Sequence, residues 1–183
     1  MENYRLEGKT FVIDDYDRLP AFSSFLPGLA GVKGIPMWTF YTNRGQGMNS
    51  FGIDNKGNAI MEFNSANTAF ENTTVKGFRT FLKIDGEYYE PFFKYEKEAK
   101  RQIRMNKNSF KIIETNEKYG IEVTVNYFIL PNESIGALVR QVSVKNISDS
   151  AKDIEVIDCF TDYSASINPI LYFLTCSKTT FHI

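Results

Sequence analysis

Between residues 121 and 129 every second position is apolar: Ile121, Val123, Val125, Tyr127 and Ile129 alternate with Glu122, Thr124, Asn126 and Phe128. A period of two puts successive side chains on opposite faces of an extended chain, so this run predicts a half-buried strand. Pro131-Asn132-Glu133-Ser134 supplies turn chemistry. The next run sets Leu138, Val142 and Val144 on one face together with Arg140, which predicts an inward guanidinium. An unpaired buried charge costs several kcal/mol, roughly, so Arg140 is expected to hold a carboxylate or carbonyl partner. After the turn at residues 146–150, Ile154, Val156 and Ile157 open a third strand. Two short connections between three runs predict an antiparallel meander.

The same pattern extends upstream. Strands are predicted at residues 9–14, 37–43, 49–54, 59–63, 77–84, 87–92 and 110–115, with Asp85-Gly86 as a two-residue hairpin turn of positive φ. Residues 19–36, rich in Pro, Gly and Ala, read as a long irregular connection. Residues 95–105 read as a short charged helix passing into a strand. Such a series predicts an all-β fold, a large twisted antiparallel β-sandwich. An irregular C-terminal tail follows it.

The segment "VTVNYFILPNESIGALVRQVSVKNISDSAKDIEVID" combines an aliphatic-aromatic strand ending in proline, a strand with a central arginine and an Asn-x-Ser-Asp turn. In this order it resembles the N-terminal β-sandwich domain of inverting glycoside phosphorylases, the cellobiose and cellodextrin phosphorylase group, and most nearly the β-1,2-oligoglucan phosphorylase branch. "FSSFLPGLAGVKGIPMWTFYTNRGQGMNSFGI" and "GFRTFLKIDGEYYEPF" are similar to the same branch, so the likeness runs over residues 9–158. It implies a supersandwich of the galactose-mutarotase-like kind. It also implies that the general acid and the inorganic phosphate, a substrate of the full-length enzyme, meet in a downstream (α/α) barrel. General acid and nucleophile must flank one glycosidic bond, so a chain without the barrel is expected to be inactive. The expected roles are packing on that barrel, shaping a β-glucan oligosaccharide site and contacting a second protomer in a homodimer. A free-standing carbohydrate-binding or protein-interaction sandwich is the alternative.

Residues 1–158 are therefore assigned to the sandwich and 159–183 to an atypical tail. Where the family continues with a small residue and Leu-Pro, this chain reads Cys159-Phe160-Thr161-Asp162-Tyr163. Codons for that stretch, read one base later, can spell a family-like apolar segment, so the tail is expected to be out of frame. The DNA after codon 158 decides the matter.

Candidate chemistry is sparse. His182 is the only histidine, so a histidine-based triad or metal cluster cannot be assembled. No catalytic residue, cofactor or metal site is predicted. Asp14, Asp15 and Asp17 lack the glycine and glutamate of a calcium loop. The loop Asn43-Arg44-Gly45-Gln46-Gly47 is not a phosphate-binding glycine pattern. On the resemblance, Asn43, Arg44 and Gln46, with the flat face of Trp38, are the substrate-binding candidates. Tyr88 and Tyr89 must face opposite ways in one strand. Apolar content of 43%, aromatic content of 15% and a net charge of −1 exclude a disordered chain and give nucleic acid or anionic lipid nothing to attract. Two cysteines, no secretory leader and no 20-residue apolar run complete the expectation of a cytoplasmic protein without membrane contact.

Overall fold

The computed structural model describes residues 3–51, 64–160 and 177–182. In chain order the strands are β1 (Tyr4–Glu7), β2 (Thr10–Asp14), β3 (Ser23–Ala30), β4 (Ile35–Thr42), β5 (Met48–Phe51), β6 (Phe78–Ile84), β7 (Glu87–Tyr89), β8 (Ala99–Met105), β9 (Ser109–Asn116), β10 (Ile121–Leu130), β11 (Ala137–Asn146), β12 (Asp153–Phe160) and β13 (Ser177–His182). Helix α1 (Ala66–Asn72) lies between β5 and β6. One sheet has the order β1-β2-β8-β9-β10-β11, a second β13-β12-β6-β7 and a third β3-β4-β5. All their ladders are antiparallel. The fold is all-β and sandwich-like.

Alternation builds the core. Ile121, Val123, Val125 and Tyr127 of β10 are all buried, as are Phe110 and Ile112 of β9 and Ile103 of β8. They form one cluster with Leu82 and Ile84 of β6, Tyr89 of β7, and Ile154 and Val156 of β12 across the sandwich. The Phe110 and Tyr127 rings stack at 4.6 Å and 7°. The Asp85-Gly86 hairpin forms as predicted, with φ of 49° and 93° and with Ile84 opposite Glu87.

Several expectations need correction. The meander stops at β11, because β12 pairs with β6 in the opposite sheet. Six residues separate β11 from β12, enough to cross the sandwich where a two-residue turn would force a hairpin. Asn146 shapes that crossing, accepting from Ser148 N at 2.9 Å and donating to Ser150 O at 2.7 Å. Crossing lets Ile154 and Val156 face inward opposite Ile84 and Leu82.

The supposed irregular connection at 19–36 contains β3. Pro27 is tolerated because β3 is an edge strand, and Gly28, with no Cβ, lets β3 lie close against the Ile129 side chain. No helix forms at 95–98, where the chain makes a turn before β8. The tail is not wholly irregular: β12 runs through position 158 to Phe160, and β13, which includes His182, pairs with β12. The strand expected at 49–54 is realised as β5, and the rest of it, with that at 59–63, lies outside the described residues.

A charged knot crosses the interior. Arg101 and Glu114 are register partners on the apolar faces of β8 and β9. Glu114, 1% exposed, accepts from Arg101 Nε at 2.6 Å, from the Phe92 amide at 2.7 Å and from the Tyr89 hydroxyl. Arg101 also reaches Asp17 at 3.2 Å and the Lys94 carbonyl at 2.5 Å. Burial disfavours the Arg101 charge, but the surrounding acidic groups, Glu114 first and then Tyr16 and Asp17, together outweigh it and hold the guanidinium pKa above its ordinary value. Glu114→Ala should therefore cost about 3–5 kcal/mol in urea unfolding, since it takes from a buried cation its nearest carboxylate and leaves the Phe92 amide and Tyr89 hydroxyl without their acceptor. Lys100→Ala, which breaks only the exposed pair with Glu117, should leave the urea midpoint unchanged.

Candidate functional site

Arg140 lies on the inner face of β11, opposite Tyr127 of β10. Its side chain is 7% exposed. Nε donates to the Tyr127 hydroxyl at 3.0 Å, Nη1 pairs with Asp158 Oδ2 of β12, and Nη2 donates to Gln46 Oε1 at 2.5 Å and Thr80 Oγ1 at 2.8 Å. Thr80 Oγ1 lies 2.7 Å from Asp158 Oδ1 and 3.0 Å from Gln46 Oε1. The Tyr127 hydroxyl donates to the Gln46 carbonyl oxygen. Burial pushes the Tyr127 phenol upward against the opposing pull of Arg140, so it stays protonated and can donate.

This seam gathers one of the four predicted binding residues. Gln46 is 2% exposed and turned inward, where its Nε2 also donates to the Pro91 carbonyl at 3.3 Å. The other three stand elsewhere. Asn43 donates to the Leu19 carbonyl at 3.1 Å and keeps its Oδ1 buried without a partner. Arg44 lies over the Phe70 ring at 3.9 Å and donates from Nε to the Phe70 carbonyl at 2.9 Å, which fastens the loop to α1. Ser65 caps that helix by accepting from the Thr68 amide at 3.3 Å. Trp38, on β4, packs against Phe40, Met48 and Ala69 beside α1. Loop 43–47 is thus held from below by Arg140 and from the side by α1.

Thr80 and Asp158 are the partners that sequence reasoning missed, although the signal was present. Ile154, Val156 and Asp158 are in phase, as are Thr80, Leu82 and Ile84, and Asp158 stands opposite Thr80. A polar residue in phase with an apolar face points at a buried polar partner. Of the aspartates at 14, 15 and 17, Asp17 pairs with Arg101, and Asp14 pairs with Arg5 and with Gln102 at 2.6 Å. Tyr88 and Tyr89 do point oppositely, at 83% and 7% exposed.

Chemically, the seam is a closed donor–acceptor set. Asp158, 29% exposed, is its link to solvent, and both of its oxygens have partners. Among the described residues no cluster of three or more His, Cys, Asp or Glu could hold a metal. No described helix is long and apolar enough to cross a membrane. Comparison of the chain with protein-family models and with curated proteins finds no match.

Asp158→Asn keeps the shape of the seam but removes the charge facing Arg140, and should lower stability by about 1–3 kcal/mol in urea unfolding. Alkaline pH gives a second test. Burial holds the Tyr16, Tyr89 and Tyr127 phenols above their usual pKa, so the native chain keeps protons that the unfolded chain releases. Their contribution is complete below pH ~10 and is lost as pH rises beyond it. The urea midpoint should fall in that range, with a shallower slope in Tyr89→Phe. Ionisation of all ten tyrosines of the native chain near pH ~10, read at 295 nm, would contradict this.

Proposed function

We propose that this chain is a noncatalytic β-sandwich scaffold, the N-terminal fragment of a carbohydrate phosphorylase acting on a β-glucan, whose (α/α) barrel carries the chemistry. The supporting observation is the Arg140–Asp158–Gln46 seam. Its ionisable groups are spent on one another, and it braces the 43–47 loop that the family likeness turns toward a glucan. Asn43, Arg44, Gln46 and Trp38 then shape the site chiefly by position, Gln46 from beneath the loop. The barrel, a β-glucan oligosaccharide and a second protomer are the partners in this reading, and the cytoplasm is its compartment. Inorganic phosphate is a substrate of the full-length enzyme only.

A second reading is a free-standing sugar-binding module, favoured by Tyr88, a residue 83% exposed on β7 and available for stacking against a sugar. Calorimetric titration of the purified chain with β-1,2- and β-1,4-linked glucooligosaccharides separates the two. The scaffold reading expects no saturable heat and no glucose 1-phosphate when phosphate is added. Saturable heat that disappears in Tyr88→Ala would replace it with the module. Glucose 1-phosphate release by the isolated chain would overturn both.

A further inference from the structure

Pro91 and Phe92 lie in the connection from β7 to β8, between the Arg101–Glu114 knot and the Arg140 seam. The peptide that joins them is trans. Its N–H and C=O therefore point to opposite sides of one rigid plane and cannot be aimed separately. The Phe92 N–H donates to Glu114 Oε2 at 2.7 Å, and the Pro91 carbonyl accepts from Gln46 Nε2 at 3.3 Å. A single peptide thus spans from the carboxylate of the knot to the side chain on which the 43–47 loop rests. The Gly45 N–H adds a second bond from that loop, to the Phe92 carbonyl at 3.2 Å.

This plane is held in an orientation that the backbone disfavours. Phe92, fully buried, has a φ of 64°, in the left-handed region where a bulky side chain crowds its own main chain. Both flanks are anchored. The Arg79 guanidinium holds the two oxygens of Glu90 at 2.8 and 2.7 Å, and Arg101 Nη2 donates to the Lys94 carbonyl at 2.5 Å. The proline ring fixes its own φ, which leaves Pro91 ψ and Phe92 φ as the torsions that turn the plane. Half a turn would return Phe92 to the ordinary extended region. It would also set the Pro91 carbonyl against Glu114 and the Phe92 N–H against Gln46 Nε2. A carboxylate accepts and an amide nitrogen donates, so each end opposes the turned state and retains the strained one. Two sites then bias one two-state element, which is the physical requirement for coupling between them.

We infer that the Pro91–Phe92 peptide is a two-state coupling element, held in its strained orientation jointly by Glu114 and Gln46, through which the Arg101–Glu114 knot sets the seating of the 43–47 loop. The inference concerns bonds within this chain, goes beyond the glucan reading and does not depend on it.

The test is a pair of double-mutant cycles on the whole chain, read by urea unfolding. Glu114→Gln offers a donor to a turned Pro91 carbonyl, and Gln46→Met removes the donor that keeps this carbonyl in place. Their shifts in urea midpoint should be less than additive, because loss of either hold lets the plane turn away from the other. Glu114→Gln combined with Asp158→Asn should be additive, since Asp158 holds Arg140 and Thr80 and touches neither Glu114 nor the peptide. Hydrogen exchange gives a reading that needs no Glu114 variant. In Gln46→Met the Phe92 amide should exchange about tenfold faster relative to the Val125 amide, which sits in the central strand β10 and reports global stability. An additive first cycle, a second cycle coupled as strongly as the first, or a Phe92 amide whose rate changes by the same factor as that of Val125 would overturn the inference.

Discussion

A guanidinium inside a β-sandwich must be answered on every side, and Arg140 is answered from two sheets and from the loop that leads into the third. Tyr127 comes from β10, Thr80 and Asp158 from β6 and β12, and Gln46 from the loop that enters β5. Withdrawing such a charge from water costs several kcal/mol, roughly, which only well-placed partners offset. The geometry is unforgiving in a useful way. Slipping β12 by one residue against β6 would turn Asp158 to the outer face together with Ile154 and Val156, so the charge and the apolar core enforce the same register.

The Arg101–Glu114 knot repeats the device further along the same sheet. Glu114 lies opposite Val123 on β10, whereas Arg140 lies opposite Tyr127, so the two knots bracket Val125 and its neighbour Ile112. Each draws in a residue from the opposite sheet, Tyr89 at one and Asp158 at the other. Apolar packing alone would let two twisted sheets slide with little penalty. Two guanidinium–carboxylate pairs on either side of the centre add to the cost of that sliding motion, because each would lose charge-assisted bonds.

What the sequence reveals depends on how local the cause is. Period-two alternation is local, and it locates β9, β10 and the inner position of Arg140. The Asp85-Gly86 turn is equally local. The sheet to which β12 belongs is decided by its pairing with β6, some 70 positions upstream, and nothing in residues 146–150 states that choice. β3 is hidden for a different reason. Pro27 and Gly28 read as breakers, yet proline is harmless at a sheet edge and the glycine gives β3 room against Ile129. The seam lies between these cases, since the in-phase Asp158 and Thr80 are visible in the sequence while their meeting with Arg140 is a consequence of the sandwich.

The position of Gln46 bears most directly on what the 43–47 loop can do. Oε1 already accepts from Arg140 and Thr80, and Nε2 donates to the Pro91 carbonyl. Recruiting that side chain to a sugar hydroxyl would exchange a charge-assisted bond, worth about 1.5–3 kcal/mol, for a neutral one of about 0.5–1.5 kcal/mol. It would also leave the Arg140 guanidinium one acceptor short in the interior. The exchange is unfavourable on both counts, so Gln46 acts from beneath as the post on which the loop stands. Asn43 and Arg44 differ, because neither is tied to a buried charge: Asn43 keeps a vacant acceptor and Arg44 rests on the Phe70 ring of α1. Gln46 at its root and Arg44 at α1 thus fix the loop at two points, with Asn43 held to the Leu19 carbonyl beside them.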